Sequence, residues 1–214
     1  LGFSLSEGII EAPEQILALD VIPRDRGVEL AMEITGAAFA GLKQRRRNLA
    51  GRTGCGLCGI ESLEQLLPPP QPVESNIRVS HAAIQAALAA LGEQQTLKAA
   101  TGGVHGAAWC RLTGEIVLLR EDVGRHNALD KLLGAMASAQ CGQDGFVLVT
   151  SRASYEMVAK VAACRQAILV AVSASTDLAV EYAVNAGVTL VAFAQPGRQV
   201  VYSHSERIQE VSPT

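Results

Sequence analysis

Aromatic side chains are scarce in this chain, at 4% of 214 residues, and that scarcity weighs against a platform on which single-stranded nucleic acid stacks its bases. Charge is sparse as well: Asp, Glu, Lys and Arg make up 18% of the residues and the net charge is -3, which argues against a general nucleic-acid binder. No apolar run approaches the roughly 20 residues needed to span a bilayer. No charged segment followed by an apolar stretch marks a signal peptide, although a chain that opens at Leu1 rather than methionine does not reveal its location from its first residues. The five cysteines, Cys55, Cys58, Cys110, Cys141 and Cys164, are an odd number, and three of them stand alone. They are poor material for a disulfide scaffold and suit a reducing cytosol, where paired thiols are catalytic, redox-active or metal-binding. A cytoplasmic protein with neither membrane nor nucleic acid among its partners is therefore expected.

What is present is apolar. Hydrophobic residues make up 49% of the chain, so a substantial buried core is expected, and the length suffices for one large domain or two small ones. The strongest break is Pro68-Pro69-Pro70-Gln71-Pro72, a linker composition. It divides the chain into a small N-terminal α+β module, residues 1–72, and a second domain, residues 73–214. In the first, residues 1–19 read as a helix and then a turn restarted by Pro13. Residues 28–34 alternate apolar and polar side chains, as a half-exposed strand does. Residues 37–50 read as a basic amphipathic helix, and a short helix is expected at 63–67.

Beyond the linker, Ser80 is placed to cap an alanine-rich helix running to Leu91. Residues 101–111 form a glycine-containing stretch that includes His105, Trp109 and Cys110. From there a pattern of apolar strand, polar loop and helix repeats three times, with strands at 116–119, 146–149 and 168–172, followed by a fourth strand at 188–193 and a short one at 200–202. Near-continuous apolar strands alternating with helices predict an α/β domain with a mixed or mostly parallel sheet and flanking helices. In such sheets the ligand crevice lies beyond the carboxyl ends of the strands. The loops there supply Arg125, His126, Ser151, Arg152, Ser173, Ser175, Thr176 and Arg198, several of them where a helix begins. Helix starts and arginines together suit an anion with many oxygens, phosphorylated or nucleotide-like. Surface ion pairs are the plainer reading for Arg152 and Arg198. His126 is open between a general acid/base and a histidine satisfied by a neighbouring carboxylate.

One stretch carries chemistry of its own: Gly51-Arg52-Thr53-Gly54-Cys55-Gly56-Leu57-Cys58-Gly59. Four glycines in nine residues disfavour helix and strand, so the two thiols are expected on a loop that follows the basic run Lys43-Gln44-Arg45-Arg46-Arg47. Half a zinc site is disfavoured, because the remaining cysteines and histidines form no second matching pair, and no metal is expected. A thioredoxin-type pair opens a helix, which glycines at 54, 56 and 59 oppose. A thiolate that takes and gives a sulfur atom fits best, since persulfide transfer needs an accessible cysteine of low pKa.

The cysteine stretch, together with Glu121-Asp122-Val123-Gly124-Arg125-His126-Asn127-Ala128-Leu129-Asp130-Lys131 and Ser151-Arg152-Ala153-Ser154-Tyr155-Glu156-Met157, resembles the FdhD family of sulfur carriers required for formate dehydrogenase activity. Gly2-Phe3-Ser4-Leu5-Ser6-Glu7-Gly8 and Pro196-Gly197-Arg198 extend the likeness over almost the whole chain. The family's segment ahead of Leu1 has no counterpart in this sequence. The resemblance implies a cytidine-deaminase-like α/β body without deaminase chemistry; no His-x-Glu followed by Pro-Cys-x-x-Cys is present. It further implies that a cysteine desulfurase passes persulfide sulfur to Cys55, and that the acceptor is the bis-molybdopterin guanine dinucleotide form of the molybdenum cofactor, bound as substrate on its way into formate dehydrogenase. Phe193, Ala194, Gln195, Pro196, Gly197 and Arg198 would contribute to binding it, and the family implies a homodimer. Cys58 either assists transfer or closes a disulfide with Cys55. The rival readings are a cofactor chaperone without obligatory sulfur transfer and a zinc-dependent deaminase-type enzyme.

Overall fold

Period and punctuation in the sequence account for most of the elements in the computed structural model, which describes residues 1–50 (backbone only for 45–50) and 71–209. Two compact units are present. The larger comprises Leu1–Ser6 with Pro69–Thr214, and the smaller comprises Glu7–Pro68. The described residues contain seven α-helices and ten strands, several of them very short.

Helix α1 (Gly2–Ser6) packs on the larger unit and so belongs to it, not to the N-terminal module in which residues 1–72 were expected to fold. The smaller unit is built on strands β1 (Ile16–Arg24) and β2 (Gly27–Ile34), which pair antiparallel from Ile16 opposite Ile34 to Arg24 opposite Gly27. Strand β2 follows the alternation seen in the sequence. The helix-then-turn reading of residues 1–19 holds as far as Gln15, with helix α1 at Gly2–Ser6 and a single 3-10 turn at Pro13–Gln15; strand β1 corrects only its end, since from Ile16 the side chains alternate at period two. Helix α2 (Gly36–Ala50) follows, close to its expected bounds. The short helix expected at 63–67 lies outside the described residues.

In the larger unit, β3 (Val79–Ser80) leads into α3 (His81–Gln94), where the Ser80 hydroxyl accepts a hydrogen bond from Ala83 N at 3.1 Å, the cap expected of it. Then come α4 (Thr96–Thr101), β4 (His105–Arg111), β5 (Ile116–Asp122), α5 (Arg125–Ser138), β6 (Gly145–Val149), α6 (Tyr155–Ala163), β7 (Ile168–Ala171), α7 (Asp177–Asn185), β8 (Thr189–Gln195), β9 (Arg198–Val201) and β10 (Ile208–Gln209). Six strands form one sheet in the order β5-β4-β6-β7-β8-β9. Strands β6, β7 and β8 are mutually parallel. Strand β4 runs antiparallel to both of its neighbours, and β9 antiparallel to β8.

The sheet is therefore mixed, the first of the two arrangements expected, and the antiparallel β4 and β9 set aside a mostly parallel one. Strand β4 reads in the sequence as an irregular glycine-containing stretch because its middle, Gly106-Ala107-Ala108, is buried and small on both faces. A Cβ on Gly106 would stand 2.6 Å from Gln95 Nε2, so close approach, not a turn, explains the glycine. Every residue of β6 and β7 is buried, as expected of strands covered on both faces. Phe146, Leu148, Leu129, Leu132, Met157, Leu169 and Leu190 lie in the core.

Two polar clasps close this unit. Lys160 on α6, 7% exposed, pairs with Asp130 on α5 at 3.1 Å and donates to Ser6 Oγ at 3.1 Å, which in turn donates to Asp130 at 2.7 Å. Helix α1 approaches α5 so closely that a Cβ on Gly2 would stand 1.8 Å from Asp130 O. Near the C-terminus, buried Arg207 donates to the carbonyls of Gly187 at 2.7 Å and Ser75 at 3.1 Å, tying the segment after the linker to the start of β8.

Candidate functional site

Because β5 and β6 are each antiparallel to β4, they run the same way as β7 and β8. The carboxyl ends of four strands therefore meet at one edge, together with the amino end of β4 at His105. Backbone bonds carry the order of the sheet into the loops beyond. Ala153 N donates to Ala174 O at 3.0 Å, Thr176 N to Ala153 O at 3.2 Å, and Phe193 N to Ser173 O at 3.0 Å. The loops on which Arg125, His126, Ser151, Arg152, Ser173, Ser175, Thr176 and Arg198 were picked out are thus neighbours, placed by the sheet.

Asp122, at the end of β5, organises the first loop. Its carboxylate accepts from Gly124 N at 2.9 Å and Asn127 Nδ2 at 3.3 Å and pairs with Lys131 Nζ at 2.5 Å. The Lys131 hydrogen bond, followed by the Gly124 amide, holds its pKa below the usual carboxylate value. Arg125 opens α5, and its Nε is buried with no hydrogen-bond partner among the described residues. Such an orphan donor is uncommon in a folded protein and asks for an explanation. His126 Nε2 lies 3.0 Å from Glu156 on α6, and Ser154 Oγ donates to the same carboxylate oxygen at 3.3 Å. The histidine is therefore satisfied by a carboxylate, supplied by α6, and the interaction ties the starts of α5 and α6 together.

Arg152 and Arg198 are exposed, and no ion pair among the described residues includes either of them. The starts of α5 and α6 have no side-chain cap, whereas Thr176 caps α7 by accepting from Ala179 N at 3.2 Å. Cations and uncapped helix ends at one edge produce a local surface suited to an anion.

Strand β8 ends irregularly here. Phe193 takes φ +49° and Gly197 φ +76°, and the pairing with β9 shifts between Ala192 and Gln195. Ala194 is buried, Phe193 half-buried, and Gln195, Pro196, Gly197 and Arg198 are exposed.

Cys55 and Cys58 lie outside the described residues. Two of the described cysteines do not suit a thiolate role: burial pushes the Cys110 thiol up to about 12, and burial, assisted by the Asp130 charge, pushes Cys164 up to about 11. Among the described residues, no group of three or more His, Cys, Asp or Glu side chains is arranged to hold a metal ion, and no helix is long and apolar enough to cross a membrane. Glu156 stood inside a recognised motif without a role. Gln85, which bonds the Gly197 amide from 112 positions away, had no local signal at all.

Comparison with known proteins places these features in a family. The FdhD/NarQ family model matches residues 1–209. The sulfur carrier protein FdhD of Cupriavidus necator is 53% identical over 212 residues, which cover 98% of this chain and 73% of that one. In fold, the chain is similar to a crystal structure from Desulfotalea psychrophila assigned as a formate dehydrogenase accessory protein, with a TM-score of 0.69, 24% identity, and coverage of 97% of this chain and 76% of that one. With the family model matching from the first residue almost to the last, this chain belongs to the FdhD/NarQ family.

Proposed function

We propose that this chain is a sulfur carrier in formate dehydrogenase maturation, taking persulfide sulfur on Cys55 and delivering it to a molybdenum cofactor held at the carboxyl edge of the six-stranded sheet. The observation that carries the binding half is the buried Nε of Arg125, without a partner among the described residues, beside two helix starts without a side-chain cap and the cations Arg152 and Arg198, in no ion pair among the described residues. Those groups fit the pyrophosphates of a dinucleotide cofactor such as bis-molybdopterin guanine dinucleotide. Arg125, Arg152 and Arg198 would meet phosphate oxygens, and the loop 193–198 would border the same ligand. His126, engaged with Glu156, would hold the two helix starts in place. The name of the Cupriavidus relative supports the sulfur-carrying half.

In the transfer, the Cys55 thiolate attacks the outer sulfur of a cysteine desulfurase persulfide. The new S–S bond makes Cys55–S–SH, the old one breaks, and the desulfurase cysteine leaves as its thiolate. The cofactor is the sulfur acceptor, and formate dehydrogenase receives it afterwards. The reading includes a homodimer in the cytoplasm, which light scattering on the purified protein checks for stoichiometry.

Incubation with a cysteine desulfurase and cysteine, followed by mass measurement of the Cys55 peptide, is the direct test. A gain of one sulfur atom is expected on wild type and not on Cys55→Ala, and no gain on wild type sinks the carrier reading. A cofactor chaperone without obligatory sulfur transfer is separated by the same variant, since it would retain formate dehydrogenase maturation with Cys55→Ala.

A further inference from the structure

The turn between β8 and β9 is held by a side chain from a distant part of the chain. Pro196 and Gly197 form its two-residue loop, between the paired Gln195 and Arg198. Proline at the second turn position and a residue of φ +76° at the third is the pattern of a type II turn. Two-residue hairpins favour the mirror-image turns, whose twist matches the strands, whereas type II splays them. Strand β8 is already irregular just before the turn, with Phe193 at φ +49°, a region disfavoured for a bulky side chain. A hairpin built this way needs support from outside itself.

That support comes from α3. The Gly197 N–H, which a type II turn does not use in its own closing bond, donates to Gln85 Oε1 at 2.9 Å, and Gln85 Nε2 donates to Gln199 Oε1 at 3.2 Å. One amide therefore grips both the turn and the strand that leaves it. Gln85 is well placed to do so, because its helix neighbours Ala83, Ile84 and Ala87 are buried in the core. Its stem is anchored by a helix while its head meets the loop.

We propose that Gln85 is a positioning residue, which keeps the Pro196–Gly197 turn in the conformation that presents Arg198 to an oxyanion-rich ligand of the guanine-nucleotide class. This rests on the reading above, that the loop 193–198 borders the ligand. Gln85 touches the turn and not the ligand. Without it, the turn samples other conformations, and the apparent affinity falls by the fraction of molecules that remain competent to bind.

The test titrates GDP calorimetrically into the full chain as wild type, Arg198→Ala, Gln85→Met and the double variant, and follows amide hydrogen exchange at Gly197. Arg198→Ala is expected to weaken GDP binding by about tenfold or more. Gln85→Met is expected to weaken it about three- to tenfold and to speed Gly197 exchange while β6 and β7 stay protected. In the Arg198→Ala background, Gln85→Met is expected to add less than about a twofold loss, because both changes remove the same contribution. Gln85→Glu keeps an acceptor for the Gly197 N–H and is expected to restore its protection. Wild-type affinity in Gln85→Met, an equal loss in both backgrounds, or unchanged exchange at Gly197 overturns the positioning role while the binding site stands. No GDP binding by wild type, or full binding by Arg198→Ala, overturns the site itself and the positioning role with it.

Discussion

The two units handle their apolar residues in opposite ways. In the larger, the side chains of β6 and β7 and one face of the helices beside them are buried. In the smaller, Ile10 is the one buried residue among residues 7–44. Cross-strand register puts Leu19 opposite Met32 and Val21 opposite Leu30, so these side chains share one face of the β1–β2 hairpin, and all four are at least 40% exposed. Both units obey the same alternation rules. They differ in whether the apolar side is covered, and stability follows the covering, at about 25 cal/mol per Å² of apolar surface removed from water. An isolated two-stranded hairpin is marginal in water, so the larger unit is where substitutions are expected to register.

The sharpest contrast comes from emptying its centre. Phe146→Ala, at a fully buried position, is expected to cost about 3–5 kcal/mol in denaturant unfolding. Next is the clasp under α1: Asp130→Ala removes the carboxylate paired with nearly buried Lys160 and is expected to cost about 3 kcal/mol, with faster hydrogen exchange in residues 1–6. A loss under about 1 kcal/mol would show that Ser6 and the remaining surroundings satisfy the lysine unaided.

A third measurement sets the core thiols against the cysteine stretch. With pKa values raised to about 12 and about 11, Cys110 and Cys164 remain protonated at pH 8, and iodoacetamide is expected to label them at least about tenfold more slowly than Cys55. Equal rates would contradict Cys55 as the reactive thiol.

Smaller effects are expected at the surface of the larger unit. Asp122 has a folded pKa below its usual value. Its contribution is therefore complete above the unfolded value of about 3.9 and is lost as pH falls through the lower folded one. Asp122→Asn is expected to cost under about 1 kcal/mol at pH 7 and to flatten stability against pH in the acid range below about 4. The smallest change is expected in the hairpin, where Leu30→Ala alters a side chain that is 58% exposed and is expected to shift stability by no more than about 0.5 kcal/mol. A loss above 2 kcal/mol there would break the comparison by showing that the hairpin face is covered in solution.

Where an element's own residues announced it, the fold was legible. Ser80 before an alanine-rich run became the α3 cap, and the apolar runs of β6, β7 and β8 became strands. Failures came where neighbours decide. Strand β1 hid behind Pro13, whose expected turn ends at Gln15 and gives way to the strand at once. Strand β4 hid because its small middle is buried on both faces, and its Gly106 records the proximity of Gln95 and not a strand period. The candidate site divides in the same way. Arg125, His126, Arg152 and Arg198 each follow a strand and could be picked out one at a time, while their shared edge depends on β4 passing between β5 and β6.

The chain's residue order by itself determined that an α/β body exists, which loops end its strands, and which cysteines stand in a glycine-rich basic stretch, because local period, turn chemistry and side-chain type are properties of short segments. Only the tertiary structure decided that the sheet is mixed, that α1 joins the larger unit, that Glu156 engages His126, and that Gln85 holds the Gly197 amide. The last two depend on groups 30 and 112 positions apart in sequence meeting at hydrogen-bond distance, and no pattern within a segment encodes its partner.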